Sequence, residues 1–128
     1  MPLLEIASKK LGTDITMVSP AGSIDTDTYL VFKDKLEPLI KAKPKVLVLD
    51  MGKVEYLSSM GVSALLDIKK AVEREGGRLI VVNLQSQVQK VLEIIKALPK
   101  EGVFTSRKEL DDYLIKIQRN EIDNKKKF

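Results

Sequence analysis

The sequence contains no cysteine, no histidine and no tryptophan. Without cysteine there are no disulfides, thiolate metal sites or cysteine nucleophiles, and a reducing compartment such as the cytoplasm suits everything that remains. Without histidine the chain lacks the side chain most used for proton transfer near neutral pH and the commonest metal ligand. No metal, no cofactor and no enzymatic activity is therefore expected. Aromatic residues make up 5% of the chain, too few to alternate with bases as the stacking platforms that single-stranded nucleic acid uses, so no nucleic acid partner is expected. Long apolar runs are also missing. Runs such as Val46 to Leu49 and Leu79 to Val82 fall far short of the roughly 20 residues of a membrane helix, and no membrane contact is expected. The opening Met1-Pro2-Leu3-Leu4-Glu5 carries an acid at its fifth position and no basic lead into an apolar stretch, which argues against a secretory leader.

What is present is enough for one domain. A chain of 128 residues can bury roughly two thirds of the surface that its unfolded form exposes. The formal charge of +4 arises from 22 basic and 18 acidic residues, and part of the excess sits in Lys125, Lys126 and Lys127. Three lysines make a solvated end rather than an electrostatic footprint. The domain is expected to span residues 1–118, and residues 119–128 to form a flexible lysine-rich tail.

The order of elements follows from apolar spacing. Leu4 to Ala7 and Ile15 to Val18 are short β-prone runs on either side of Lys10-Leu11-Gly12-Thr13-Asp14, and Pro20-Ala21-Gly22 closes them, as in a β-hairpin. Phe32, Leu36, Leu39 and Ile40 repeat at three and four, which predicts a helix that stops before Pro44, with Asp25, Thr26 or Asp27 as its cap. Lys45 to Asp50 reads as a central strand buried on both faces, and Val54 to Leu57 as a strand leading straight into a helix marked by Leu65, Ile68 and Val72. Glu75-Gly76-Gly77 ends that helix. Arg78 to Val82 repeats the buried-strand pattern, and Val88, Val91, Leu92 and Ile95 mark a third helix. Val103-Phe104 fits an edge strand, and Leu110, Leu114 and Ile117 a last helix. Parallel strands need helical crossovers, so the fold class is α/β: a single domain with a mixed β-sheet of four to five strands packed with about four helices.

The corner Val54-Glu55-Tyr56-Leu57-Ser58-Ser59-Met60-Gly61-Val62 passes from strand to helix through two hydroxyl residues. A helix start offers unsatisfied N–H groups and the positive end of the dipole, so a serine there can cap the helix or carry a phosphate that the helix stabilises. The two roles remain open for Ser58 and Ser59. The corner, the run Leu47-Val48-Leu49-Asp50 before it, and Gly76-Gly77-Arg78-Leu79-Ile80-Val81-Val82-Asn83-Leu84 with Val88, Val91 and Leu92 after it resemble the STAS family, the sulphate transporter and anti-sigma factor antagonist domains. The resemblance runs from about Leu4 to Leu114 and is nearest to the free-standing bacterial antagonists.

That resemblance implies a phosphoacceptor at Ser59, less so at Ser58, modified by a partner that is both serine protein kinase and anti-sigma factor. It further implies that the unphosphorylated chain binds this partner and frees sigma factor, and that a PP2C-type phosphatase restores it. The best-known antagonists carry aspartate where this chain has Ser58 and a small residue where it has Met60. Gly22-Ser23-Ile24-Asp25 is similar to the family's turn beside the phosphorylatable serine, which makes Asp25 a partner-binding residue, a helix cap, or both. The implied docking surface is Asp25, Ser58, Ser59, Met60, Gly61, Ser63 and Asp67, on a monomer or weak homodimer. A second reading is a non-phosphorylated STAS subunit of a signalling or lipid-transport assembly. A serine hydrolase built on Ser59 fails on chemistry: no histidine exists to serve as base, and Leu57 stands where a nucleophile elbow needs glycine. Asp50 at the end of the central strand fits a turn rather than a catalytic acid.

Overall fold

The computed structural model describes residues 4–95 and 103–104, together with 108, 112 and 115. Its sheet begins with β1 (Leu4–Lys10) and β2 (Ile15–Ile24), which pair antiparallel from Leu4 opposite Gly22 to Lys10 opposite Thr16. The hairpin matches expectation, but β2 runs through Pro20-Ala21-Gly22 instead of stopping there. The reason lies in its other edge. Ile15 to Val18 pair parallel with Val46 to Leu49 of β3 (Val46–Asp50), whereas Ala21 to Ile24 pair parallel with β4 (Lys53–Leu57). Pro20 falls in the gap between the two partners, a place that tolerates a residue with no N–H to give.

Beyond β3 the sheet continues in parallel to β5 (Arg78–Val82) and then β6 (Val103–Phe104), giving the path β1-β2-β3-β5-β6 with β4 off it. The sheet is mixed, as expected: one antiparallel pair and parallel ladders for the rest. Its central strands are buried on both faces. Leu47, Leu49, Leu79 and Val81 join the main core, while Val46, Val48, Ile80 and Val82 form a second cluster with Ile15 and Met17 on the opposite side. This double burial explains the continuous apolar runs of β3 and β5.

The main core is closed by helices. In α1 (Tyr29–Lys41), Phe32, Leu36 and Ile40 turn inward, and in α2 (Ser59–Arg74), Val62, Leu65, Ile68 and Val72 do so. α1 also holds Pro38, whose ring supplies no N–H to the helix ladder. α2 ends at Arg74 with Glu75 as its C-cap, and Gly76 follows with φ of +85°, a conformation that glycine adopts at no steric cost. α3 (Ser86–Ile95) buries Val88 and Leu92 and packs beside β4. The helix expected around Leu110, Leu114 and Ile117 and the tail 119–128 lie outside the described residues, although Lys108, Asp112 and Ile115 are helical and exposed.

Candidate functional site

The two loops that enter α1 and α2 meet at one end of the sheet because β2 and β4 are parallel neighbours. Ile24 pairs with Leu57, and the Ser58 N–H donates to the Ile24 carbonyl at 3.0 Å, so the chain leaves both strands side by side. Gly61 sits in the first turn of α2 and brings the helix onto that same carbonyl. A Cβ on Gly61 would collide with Ile24 O and lie 2.6 Å from Leu57 Cδ1. Only glycine allows this approach.

The two serines divide the roles that their sequence left open. Ser58 is the N-cap, with extended backbone (φ −83°, ψ 176°), and its Oγ accepts from the Gly61 N–H at 3.2 Å. It is half-buried. Ser59 is the first helical residue and is exposed. The hydroxyl of Ser58 is therefore occupied with the helix, and that of Ser59 faces solvent above the first turn, where the N–H groups and the dipole favour negative charge.

Asp25 organises the neighbouring loop. Its Oδ1 accepts from the Asp27 N–H at 2.9 Å and from the Thr28 N–H at 3.2 Å, and its own N–H donates to Thr28 Oγ1 at 2.9 Å. Thr28, almost fully buried, donates in turn to the Ser23 carbonyl at 2.7 Å. The cap expected from Asp25, Thr26 or Asp27 is thus shared. Thr28 occupies the N-cap position without capping through its side chain, and Asp25 supplies the carboxylate. Asp25 performs its turn role next to the Ser58–Ser59 corner.

Ser59, Ser63 and Asp67 lie at steps of four along α2 and are all exposed, so they share one face; Met60, beside them, is half-buried. At the far end of this row Asp67 is held by Lys33 of α1 at 3.3 Å, across the groove that Leu30, Ile40, Ile68 and Ala71 also line. Sequence reasoning passed over three residues that the fold places near this end. Leu30 and Val31 are 55% and 51% exposed in the first turn of α1, and Tyr56 is 56% exposed on β4, two residues before the N-cap. The signal for Leu30 and Val31 was present, since both fall out of phase with Phe32, Leu36 and Ile40. Asp50 is a turn residue: its Oδ1 accepts from the Gly52 N–H at 3.0 Å and from Asn83 Nδ2 at 3.1 Å. Among the described residues no group of three or more carboxylates is placed to hold a metal ion, and no helix is long and apolar enough to cross a membrane.

A sequence model of the STAS domain matches residues 7–110. Among curated proteins, the chain is 35% identical over 99 residues, 77% of its length, to YvdB of Bacillus subtilis strain 168, described as a sulfate transporter. It is 34% identical over 61 residues, 48% of its length, to BtrV of Bordetella bronchiseptica, described as an anti-sigma factor antagonist. The chain spans 18% of the first relative and about half, 53%, of the second. Among solved structures, an anti-sigma factor antagonist from Mycobacterium paratuberculosis superposes with a TM-score of 0.73 at 22% identity, covering 90% of this chain and 94% of that one. SpoIIAA, an anti-sigma factor antagonist solved in its unphosphorylated form, gives 0.72 at 16% identity, covering 86% and 96%. At such identities these two structures establish a shared fold.

Proposed function

Taking as premise that the chain belongs to the STAS domain family, we propose that it is an anti-sigma factor antagonist that works as a partner switch and not as an enzyme. In this reading the unphosphorylated chain binds an anti-sigma factor that is also a serine protein kinase, and sigma factor is released. Phosphorylation of Ser59 ends the association, and a PP2C-type phosphatase resets it, in the cytoplasm. The STAS domain spans residues 1–118, with 119–128 a flexible tail, and the working form is a monomer or weak homodimer.

The observation that carries the reading is the division of labour at the corner: Ser58 spends its hydroxyl on Gly61 N–H, and exposed Ser59 keeps its own free of that duty. Phosphate there would add nearly two negative charges next to the Asp25 loop. Docking through Asp25, Ser59, Met60, Ser63 and Asp67 would then bring like charges together at an interface, which can cost several kcal/mol and reverse a micromolar association. No change of fold is needed. The test is a titration of Ser59→Ala and Ser59→Asp chains against the cognate anti-sigma factor kinase that this reading requires. Wild-type-like affinity for Ser59→Ala and at least tenfold weaker binding for Ser59→Asp is the expected result, and equal affinity would refute the switch.

The second reading, a STAS subunit that is never phosphorylated and serves a signalling or lipid-transport assembly, is favoured by one finding. The longer of the two curated matches is to a transporter, not to an antagonist. Intact mass after incubation with ATP and the kinase separates the two readings, because only the switch predicts a phosphorylated species that Ser59→Ala abolishes.

A further inference from the structure

β4 has one strand neighbour. It pairs with β2 along Ala21 to Ile24, and among the described residues no strand lies on its other side. A five-residue strand held from one side has carbonyls left without a ladder partner, and such an edge opens easily. Side chains fill the vacancy. Gln85 Nε2 donates to the Gly52 carbonyl at 2.9 Å and Gln87 Nε2 donates to the Glu55 carbonyl at 3.1 Å. Gln87 Nε2 also reaches Gln85 Oε1 at 2.7 Å, so the two carboxamides brace one another. One step further back, Asn83 Nδ2 donates to Asp50 Oδ1 at 3.1 Å. Asn83, Gln85 and, from the first turn of α3, Gln87 thus set amide donors alongside 50, 52 and 55, one meeting a side-chain carboxylate and two meeting main-chain carbonyls.

We infer that Gln85 and Gln87 are positioning residues for the Ser58–Ser59 corner, standing in for a missing strand and tying the start of α3 to the strand that delivers Ser59. Leu57, the last residue of β4, is followed directly by the N-cap, so the height of Ser59 over the Ile24 carbonyl depends on how firmly β4 is held. The chemistry requires a neutral donor. A carboxamide meets a carbonyl with an N–H, whereas glutamate of nearly the same shape brings only acceptors against Glu55 O and Gln85 Oε1. Gln87 is exposed, so its replacement leaves no buried gap. The functional weight of this arrangement rests on Ser59 as the phosphoacceptor proposed above, but its test involves no partner and no kinase and so fails or succeeds independently of that reading.

The absence of cysteine makes the test clean. In full-length Ser59→Cys the single thiol reports on the helix start, where a thiolate is favoured and the pKa should lie below the ordinary value of about 8.5. The measurements are the pH profile of iodoacetamide alkylation and amide exchange at Ser58 and Gly61, in backgrounds Gln87→Glu, Gln87→Ala and Lys90→Gln. Lys90→Gln makes the same charge change as Gln87→Glu on an exposed position of α3. Both Gln87 variants should raise the thiol pKa and speed exchange at Ser58 and Gly61 about fivefold, the factor that a single exposed hydrogen bond is worth, while amides in β3 and β5 keep their protection and Lys90→Gln behaves as the parent. An unchanged thiol and unchanged exchange in both Gln87 variants would overturn the inference. So would an effect of Gln87→Glu that Lys90→Gln reproduces and Gln87→Ala does not, because charge alone would then explain it.

Discussion

Ser58 and Gly61 carry the corner by different means, and their replacement should fail differently. Ser58→Ala removes one cap bond from a half-buried helix start, a loss of about 1 kcal/mol. Urea unfolding should show that decrease with an unchanged slope, and Ser58→Asp, which restores a cap acceptor, should recover it. Gly61→Ala adds a single carbon, but the obstacle is the Ile24 backbone carbonyl, which cannot swing aside as a side-chain end can. Overpacking of this kind costs about 1–3 kcal/mol, and part of it must appear as displacement of the first turn. Gly61→Ala is therefore expected to change the chemical shifts of Ser59 and Ile24 as well as the unfolding midpoint, whereas Ser58→Ala should act on stability with little shift at Ile24. The serine pair was legible in the sequence as a helix start, but the assignment of cap to Ser58 and exposure to Ser59 was not, because a one-residue boundary is fixed by tertiary contact and not by propensity.

At the scale of elements, the helix that packs over β1 and β2 carries a defect. Pro38 withholds an N–H from the carbonyl one turn earlier, at Asp34, and lies on the exposed side of the helix. Pro38→Ala should restore that bond and stabilise the fold by about 1 kcal/mol or more, seen as a raised Tm at unchanged secondary-structure content. The helix pair α1–α2 is joined on its outer side by Lys33 and Asp67, both substantially solvated. A double-mutant cycle on this pair should return less than 1 kcal/mol, as exposed ion pairs do, so a partner can recruit Asp67 at little expense to the fold. Strong periodicity made α1, α2, α3, β3 and β5 readable from residues such as Phe32, Leu36, Leu65, Ile68 and Val48. Pro20 misled for a physical reason: proline ends strands that have neighbours on both edges, and at position 20 one edge has none.

For the whole molecule, the sheet sorts residues by end. The corner with Asp25 and Ser59 lies where β2 and β4 finish, while Lys9 and Lys10 lie where β2 begins, and Lys45 and Arg78 at the starts of β3 and β5. The first group was foreseeable only through the resemblance to STAS domains, since 33 residues separate Asp25 from Ser58 and no local pattern joins them. The amide row of Asn83, Gln85 and Gln87 was not foreseeable at all, because glutamines after a strand look like an ordinary polar loop until their partners at 50, 52 and 55 are in place. Pairing between β2 and β4 also has an irregular step: Gly22 faces Val54, but Ser23 faces Tyr56, so Glu55 is counted once on β4 and not at all on β2. That extra residue works as a parity switch. Val54 and Leu57 are three apart, an odd interval that in a regular strand would put them on opposite faces, yet both belong to the same core. The uncounted residue resets the phase between them and turns Tyr56 outward, so deleting Glu55 would leave Val54, Tyr56 and Leu57 alternating in, out, in opposite Gly22, Ser23 and Ile24, and the corner would keep its inside and outside, whereas one further deletion would exchange them.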